Sequence, residues 1–516
     1  MTALLDNVMI GMGLLLQWEV LFSAAGGVFV GLMMGAIPGL SDIIAICLLV
    51  PFTFYLNPIA GIAMLMGLSK GANFGGSIPA ILFNIPGTPQ AVITAFDGYP
   101  LAKQGKAGKA LKVALFSSCI ADSVSDCVLF FFAAPVAMAA IMIGPAEHAA
   151  VVIFALTLIS ITAQAGPAVG LLSMVLGLLF SCIGADPLSG APRLTFGSDE
   201  LAGGMDIVPL ALGFFVISEI IWQVCLEKRE RINLAASRVD ELEEKKTLEE
   251  NYEEDHSLSF AEFKKCVPAI GRGTMIGSAI GALPGIGTTV GSYLSYMATK
   301  RVSKNPERFG KGAIEGIAAA EAGNNAVNGP NLIPLITLGI PGNLAAALIL
   351  GAFTMQGLTP GPMFMEQQAP LLYALFIVLF ISNFFTIGFG LVCSRYMRKM
   401  VLLPRNYIYA AVVIFALIGS YIVRNNTFDL YYTLGFSIIG LLCRKGGIPM
   451  IPLLISYILG SSLELKIRQT LDLNAGDLTV FLTEPISGAF LAVSVLVIVY
   501  TFYRKIRMQK TGSVQP

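Results

Sequence analysis

Apolar segments about as long as a membrane is thick recur along the chain and constrain its fold more than any other feature. A helix needs about 20 apolar residues to cross the hydrocarbon of a bilayer. Only 13% of the residues are charged, about half the share found in soluble domains. A soluble protein is therefore excluded. The longest apolar segments are Val20–Ile37, Val113–Ile143, Ala149–Gln164, Val169–Ile183, Ile207–Val224, Leu371–Val392, Tyr407–Val423, Leu430–Cys443 and Ile486–Tyr503.

Six further apolar stretches are too short for a full crossing or are broken by glycine and proline. Membrane helices tolerate these residues where the freed backbone groups find partners. We therefore predict an all-α polytopic membrane protein with about ten to twelve transmembrane helices, some of them discontinuous or re-entrant. Residues 1–16 fit either a short crossing or an interfacial helix. The six stretches are Ile43–Tyr55, Ile59–Ser69, Ile78–Ile85, Thr274–Met297, Leu332–Leu338 and Leu344–Met355.

Charge and motif content exclude several functions. Lysine plus arginine and aspartate plus glutamate each total 33, so no basic excess points to a nucleic-acid partner. The sequence contains no GxxxxGK[ST] phosphate loop, no HExxH motif and no paired-cysteine zinc site. We predict that the chain neither hydrolyses ATP nor acts as another kind of enzyme, and that it carries no organic cofactor.

An internal repeat organises the sequence. Two ladders place glycine at every fourth residue, and each ladder ends in a proline–glycine pair. Further along, an asparagine followed by Ile-Pro and Ile-Pro-Gly also occurs twice in the same order. The ladders are Gly27, Gly31, Gly35, Gly39 and, 246 residues later, Gly273, Gly277, Gly281, Gly285; the other pair is Asn73–Gly87 and, 255 residues later, Asn328–Gly342. We infer a duplicated unit.

Loop charge indicates that the two copies are inverted. The loop after the first Ile-Pro-Gly, 103–112, contains four lysines, whereas the loop after the second, 357–370, contains no lysine or arginine. The preceding loops show the opposite bias, because 52–62 has no basic residue and 300–311 has five. Basic short loops stay in the cytoplasm. Equivalent loops are thus predicted on opposite sides of the membrane.

A charged segment joins the two copies. Residues 227–255 include 17 charged side chains, eleven acidic and six basic, as in a solvated surface helix. This segment is either a plain linker or a docking site for a partner. We predict a first membrane half at 1–224, a charged cytoplasmic linker at 225–268, a second, inverted membrane half at 269–505 and a cytoplasmic tail at 506–516.

Each glycine ladder is predicted to end in a helix break within the membrane. Proline removes a backbone donor, and glycine accepts unusual dihedral angles. A break at that depth leaves peptide groups that lipid cannot satisfy, so they must face a cavity or a ligand. Helix N-termini suit anions, and exposed carbonyl groups suit Na⁺. We therefore expect a binding site at the two breaks.

Four charged residues inside apolar runs leave alternatives open. Asp122 and Asp126 lie on one helical face and could form a proton relay or a cation site, or could face a water-filled or inter-subunit surface. Lys70 could attract an anion or extend towards the membrane surface. Glu321 has no clear assignment.

Several sequence motifs resemble those of the large membrane subunit (TctA-type) of the tripartite tricarboxylate transporters, and the resemblance covers nearly the whole chain. They are Gly281-Ala-Leu-Pro-Gly285, Asn328-Gly-Pro-Asn331 continuing to Ile340-Pro-Gly342, Ile85-Pro-Gly-Thr-Pro89, Gly144-Pro-Ala-Glu147, and Ile183-Gly-Ala-Asp186 continuing to Gly197. The resemblance implies a multi-pass protein of the bacterial inner membrane. It also implies two partners, a small membrane subunit with four helices and a periplasmic solute-binding protein.

The resemblance also implies a function, the import of organic carboxylates such as citrate, after which the family is named. Import would proceed by alternating access, as in an elevator-type transporter. A Na⁺ or H⁺ gradient would drive it. Loop charge places the C-terminus in the cytoplasm. Applied to the two breaks, this reading assigns substrate binding to Asn73, Ser77, Gly87, Thr88, Asn328, Asn331, Gly342 and Asn343, and cation binding to Gly39, Ser41, Gly285, Thr288 and Thr289.

Two other functions remain as alternatives. Discontinuous helices that meet in the membrane also form ion or solute channels with re-entrant selectivity loops. A membrane scaffold or a lipid-modifying enzyme is the weakest candidate, because the sequence shows no catalytic histidine and no convergent carboxylates.

Overall fold

The structure, a computed structural model, describes residues 2–37, 39–163, 165–233, 257–401 and 405–510. Within these ranges the chain is almost entirely helical, and its two strands are only two residues long. The predicted all-α fold is confirmed. Most of the charged linker, 234–256, and the last six residues of the predicted tail lie outside the described residues.

The first half of the chain forms ten α-helices and one small hairpin in the described ranges. π-Helical segments Ala102–Lys106 and Leu212–Ile217 join α5 to α6 and α9 to α10. The elements are α1 Thr2–Leu15, α2 Trp18–Gly35, α3 Asp42–Thr53, α4 Pro58–Phe83, α5 Ala91–Leu101, α6 Ala107–Ile141, α7 Pro145–Ile161, α8 Pro167–Ser181, β1 Gly184–Ala185, β2 Pro192–Arg193, α9 Ile207–Ala211 and α10 Ser218–Asn233.

The second half forms twelve more α-helices in the described ranges. They are α11 Phe260–Gly281, α12 Gly287–Val302, α13 Ile314–Asn325, α14 Asn328–Leu338, α15 Leu344–Met355, α16 Phe364–Gln367, α17 Ala369–Val401, α18 Arg405–Arg424, α19 Phe428–Lys445, α20 Met450–Leu473, α21 Val480–Thr483 and α22 Pro485–Lys510.

Among the described residues, seven helical stretches are long and apolar enough to cross a membrane, and five apolar helices are shorter. One of the seven, Met450–Leu473, is absent from the sequence prediction because its second half carries Glu464, Lys466, Arg468 and Asp472. The short helices α3 and α15 correspond to two of the stretches predicted to be discontinuous. The long stretches are Trp18–Gly35, Ala91–Ile141, Ile207–Leu226, Ala369–Ser394, Tyr407–Arg424, Met450–Leu473 and Pro485–Arg507.

The structure of α4 differs from the sequence prediction, which divided this region into two stretches. The sequence pattern separates Ile59–Ser69 from Ile78–Ile85, but a single helix runs from Pro58 to Phe83. The glycines that suggested a break lie inside the helix because they lie against the backbone of α2. A Cβ atom at Gly67, Gly71 or Gly75 would meet the carbonyl oxygens of Ala24, Val28 and Leu32, respectively.

The glycine ladder of α2 faces this second ladder in turn. A Cβ at Gly27, Gly31 or Gly35 would overlap the carbonyl oxygen of Met64, Leu68 or Ala72, respectively. The two helices therefore touch through main-chain atoms, as small residues permit in membranes. The later ladder repeats this arrangement, because Gly277 and Gly281 of α11 lie against the carbonyl groups of Gly323 and Val327.

Both helix breaks that the sequence predicts are present, with the same backbone conformation. The helix before each break ends at Gly35 or Gly281, and the next helix starts at Asp42 or Gly287. Gly39 and Gly285, at equivalent positions of the repeat, have φ angles of +93° and +87°. Such left-handed angles favour glycine.

The second repeated motif also has matching geometry in both copies. The helix ends before each Ile-Pro-Gly in a left-handed residue, Asn84 with φ of 54° or Gly339 with φ of 68°. The next amide closes the turn in both cases, from Ile85 to Pro79 O at 3.3 Å and from Ile340 to Pro334 O at 3.1 Å. These pairs are related by the same offset of 255 residues, which supports the duplicated unit. The opposite orientation of the copies stays a prediction.

Helices of the two halves interlock. One hydrophobic core cluster combines Phe74 of α4, Leu111 of α6, Ile270 of α11 and Ile317 of α13. The buried carboxylate of Asp97, in α5, accepts the backbone N–H groups of residues 310, 312 and 313 at 2.8–2.9 Å. First-half and second-half elements thus share one packed body.

The hairpin between α8 and α9 is held by a capped carboxylate. Asp186 accepts the backbone N–H groups of Leu188 and Ser189 at 3.0 and 2.8 Å and pairs with Arg193 and Arg468. The Ser189 amide first, and then the Leu188 amide and the charge of Arg468, hold the pKa of this carboxyl well below its usual range.

We expect Gly31→Ala to destabilise the protein, because its Cβ would overlap the Leu68 carbonyl oxygen. Overpacking of this kind costs about 1–3 kcal/mol, so the thermal unfolding midpoint of the purified protein should fall. Gly26→Ala is the matched control, since no atom lies within 4 Å of a Cβ at this neighbouring position. Equal midpoints for both variants would contradict the main-chain contact between α2 and α4.

Candidate functional site

A cavity of about 880 Å³ lies where both helix breaks meet both Ile-Pro-Gly segments. Its size falls in the usual range of about 300–1,000 Å³ for small-molecule sites. Gly39 and Gly285 line it from the two breaks, and Gly87 and Gly342 line it from the two Ile-Pro-Gly segments. The duplicated motifs, which are far apart in sequence, therefore form one site.

Six helices begin at this cavity. Their first residues, or those just before them, line its wall: Ser41 and Asp42 for α3, Pro89 and Gln90 for α5, Gly287 for α12, Asn328 for α14, Asn343 and Leu344 for α15, and Pro449 and Met450 for α20. A helix N-terminus presents unpaired N–H groups and about half a unit of positive charge. The first amides of α5 are an exception, because Ala91, Val92 and Ile93 donate to the carbonyl groups of residues 88–90. The dipoles of all six helices nevertheless make the cavity favourable for anions.

Eleven of the thirteen residues assigned from the sequence line this cavity. Ser77 and Asn331 do not, and they are treated separately below. The eleven are Asn73, Gly87, Thr88, Asn328, Gly342 and Asn343 from the substrate group, and Gly39, Ser41, Gly285, Thr288 and Thr289 from the cation group.

Two polar atoms at the cavity wall have no hydrogen-bond partner among the described residues. They are Thr88 Oγ1 and Asn328 Nδ2, both buried. Buried polar groups in proteins are nearly always paired, so an orphan at a cavity wall indicates a bound ligand or water. Asn73 differs, because its side-chain oxygen accepts the Gln90 amide at 2.8 Å.

The peptide groups of the second break are partnered. Gly285 N–H donates to the carbonyl oxygen of Gly342 at 2.8 Å, and the Thr162 hydroxyl donates to Gly285 O at 2.9 Å. The sequence argument expected free carbonyl groups at this position. What the break offers to a ligand is instead the start of α12, with the half-buried hydroxyl groups of Thr288 and Thr289.

Ser77 belongs to a buried hydrogen-bond cluster behind the cavity. Glu321 is 0% exposed and accepts the hydroxyl groups of Ser77 at 2.6 Å, Ser118 at 2.7 Å and Thr94. The amide of Asn325 lies 3.5 Å from the same carboxylate. Every donor except Asn325 comes from the first half of the chain. Glu321 therefore ties the halves together.

Asn331 lines a second, much smaller cavity. This cavity also contains Lys70 and Asp126, and it shares Asn328 and Asn343 with the large one. The side-chain oxygen of Asn331 lies against Gly342, where a Cβ atom would overlap it.

Sequence reasoning missed one charged pair in the large cavity. Arg444, near the C-terminal end of α19, forms an ion pair with Glu219 of α10, and Gln223 donates to the same carboxylate. All three residues line the cavity. Arg444 directly follows the apolar segment Leu430–Cys443, and its partner lies 225 residues away, so no local pattern could reveal the contact. Asp42, whose carboxylate was also overlooked, is a further charged residue of the wall.

Interrupted helices that begin around a polar cavity are the architecture of a membrane transport protein. A family model described as "Tripartite tricarboxylate transporter TctA family" matches residues 21–455. The chain belongs to this family of transporters, and the tripartite organisation implies partner subunits. The resemblance noted from the sequence is thereby confirmed.

Two relatives from Agrobacterium vitis are similar to the chain. One, described as an uncharacterized 52.8 kDa protein in the TAR-I ttuC' 3' region, is 37% identical over 485 residues, which cover 94% of this chain and 93% of the relative. The other, described as an uncharacterized protein in the TAR-II ttuC' 3' region, is 38% identical over 234 residues, or 45% of this chain and 97% of the relative. No solved structure matches the chain significantly.

We expect Glu321→Ala to lower the free energy of unfolding by about 3 kcal/mol, because it leaves three buried hydroxyl groups without an acceptor. The thermal midpoint of the purified protein in detergent measures the effect. Glu307→Ala, at an exposed position in the same half of the chain as Glu321, serves as control. An unchanged midpoint for the first variant would show that the cluster does not hold the halves together.

Proposed function

We propose that the chain is the membrane transport subunit of a binding-protein-dependent secondary importer for organic carboxylate anions. The observation that carries this proposal is the convergence of six helix N-termini on one cavity. Helix N-termini bind carboxylates through backbone N–H groups and the helix dipole. Membership of the TctA family supports a dicarboxylate or tricarboxylate such as citrate as the substrate.

In this proposal the substrate carboxylates bind near the two Ile-Pro-Gly segments. Thr88 Oγ1 and Asn328 Nδ2 are buried donors without partners among the described residues, so each can bind a carboxylate oxygen without losing an existing bond. Gly87, Gly342, Asn343 and Asn73 complete the wall around them. Arg444 supplies the cationic side chain, while Glu219 balances its charge when the cavity is empty of substrate.

A cation gradient, of Na⁺ or H⁺, drives import in this proposal. Ser41, Thr288 and Thr289 bring hydroxyl oxygens to the two breaks, and Gly39 and Gly285 set the backbone conformation there. Asp42 adds a carboxylate to the same wall. Oxygen ligands at interrupted helices are the usual means of coordinating Na⁺ in secondary transporters.

Alternating access moves one packed body against the rest, as in an elevator. The glycine contacts between α2 and α4 and between α11 and α13, together with the Glu321 and Asp97 bonds, support a rigid body that contains parts of both halves. Rigid-body motion of one part of the protein against another is common in transporters built from inverted repeats.

The proposed complex lies in the bacterial inner membrane, with the C-terminus in the cytoplasm. Its other parts are a small membrane subunit with four helices and a periplasmic solute-binding protein that delivers the substrate. The apolar, exposed surfaces of helices such as α22 suit contact with lipid.

Uptake into proteoliposomes tests the proposed function. The chain, reconstituted with its small subunit and binding protein, should accumulate a radiolabelled carboxylate when a Na⁺ or proton gradient is imposed and no ATP is present. Counterflow exchange should saturate with substrate. Single-channel currents without counterflow would favour a channel, and uptake that needs ATP would refute the proposal.

We expect Arg444→Gln to raise the KM for carboxylate uptake about tenfold, equivalent to ~1.4 kcal/mol of binding free energy. The variant removes the cationic side chain and leaves Glu219 to repel the anion. Lys445→Gln is the matched control, because it changes net charge equally at an exposed position outside the cavity. Equal KM values for the two variants would remove Arg444 from the substrate site.

A further inference from the structure

A buried cluster of three charges lies beside the transport cavity. Lys70 Nζ is 2.6 Å from Asp122 Oδ2 and 2.7 Å from Asp126 Oδ2, and it also donates to the side-chain oxygen of Asn383 at 3.3 Å. All four side chains are at most 3% exposed. One lysine against two aspartates leaves one uncompensated negative charge when all three are ionised, which is costly in a membrane interior.

In the described part of the chain, Lys70 is the one basic residue that lines the small cavity beside Asp126. Helix α14 packs on α6 next to Asp126, and α15 lines the cavity beside it; neither contains a charged residue. Helix α17 contributes Asn383 and the apolar Leu379. The missing positive charge must therefore come from a bound cation or a proton.

The two aspartates differ in their surroundings. The second oxygen of Asp122, Oδ1, lies 3.4 Å from the hydroxyl of Ser125 in the next turn. The second oxygen of Asp126, also Oδ1, is buried and has no hydrogen-bond partner among the described residues. Asp126 Oδ1 is thus the carboxylate oxygen of this cluster that is free to bind a cation.

Asp126 lines a cavity that has space for an ion. The cavity measures about 30 Å³, and a space of about 10–15 Å³ already holds one water molecule. Its other polar residues are Ser69, Asn328, Asn331 and Asn343, all of which carry side-chain oxygens. Carboxylate, amide and hydroxyl oxygens are ligands for hard cations.

We propose that Asp126 Oδ1, with the side-chain oxygens of Asn328 and Asn331, binds a single Na⁺ ion in this small cavity. A monovalent ion neutralises the cluster, whereas a divalent ion would leave it with an excess positive charge. The inference rests on the proposed function, to which it adds a second binding site for the coupling ion. This site is separate from the hydroxyl groups at the two breaks.

The position of the site provides the coupling. Asn328 and Asn343 line both the small cavity and the large one. Asn343 also caps α15, because its side-chain oxygen accepts the N–H of Ala346 at 2.8 Å. An ion at Asp126 therefore orders side chains at the start of α14 and α15, two of the helices that face the substrate.

Binding of radiolabelled Na⁺ to the purified full-length protein in detergent, without substrate, tests the site directly. The wild type should show saturable binding that unlabelled Na⁺ displaces and K⁺ does not. Asp126→Asn should weaken this binding about tenfold, since it removes the only charged ligand. Glu262→Gln is the matched control, because it also removes one carboxylate from an ion pair with a lysine, Lys109, but lies outside the small cavity. It should bind Na⁺ as the wild type does.

Three results would overturn the site: no Na⁺ binding by the wild type, unchanged binding by Asp126→Asn, or equal losses in Asp126→Asn and Glu262→Gln. If Asp126→Asn does not give a monodisperse protein, Asn331→Leu decides, because it keeps all charges and should also weaken Na⁺ binding. Carboxylate uptake driven only by a proton gradient, without Na⁺ binding, would sustain the proposed function and refute the sodium site.

Discussion

Contact between main chains, made possible by glycine, is the interaction on which the rest of the structure depends. Helices α2 and α4 each place a glycine at every fourth residue, and each glycine lies against a carbonyl group of the other helix. With no side chains between them, the two helices hold the first break and the first Ile-Pro-Gly segment in a fixed relation. The second pair, α11 and α13, does the same for the other copy. The cavity exists because these two rigid pairs bring their interruptions together.

The sequence predicted the local features of this site and missed the distant ones. Periodic glycines and repeated motifs revealed both breaks and eleven cavity residues, because a repeat relates residues by a constant offset. The same reasoning took the glycines of α4 for a break, since a glycine that packs against a helix and a glycine that interrupts one look alike without the partner helix.

The helix Met450–Leu473 was missed because its charges lower its mean hydropathy, although Glu464 and Arg468 pair with each other and with residues of the hairpin. The Arg444–Glu219 pair, like the contact between Lys70 and Asn383, joins residues hundreds of positions apart.

The two buried charge clusters have opposite character. Glu321 has hydroxyl donors for both of its oxygens, so it is fully partnered and suits a structural role. The Lys70 cluster has an excess negative charge and an oxygen without a partner among the described residues, and it faces a cavity. A satisfied cluster stabilises one conformation, whereas an unsatisfied one favours whatever ion completes it. The Glu321 cluster therefore stabilises the packed body, whereas the Lys70 cluster is suited to bind an ion during transport.

The sequence separations within these clusters have a consequence for biosynthesis. Chains enter the membrane from the N-terminus as the ribosome makes them. Lys70 is synthesised 52 and 56 residues before the aspartates that neutralise it, so its charge lacks these partners until α6 has been made. Glu321 follows its three hydroxyl donors by 203 to 244 residues, so the donors are synthesised before their acceptor. The order of synthesis thus leaves a buried cation unpaired in the first copy and supplies the donors for a buried carboxylate of the second in advance.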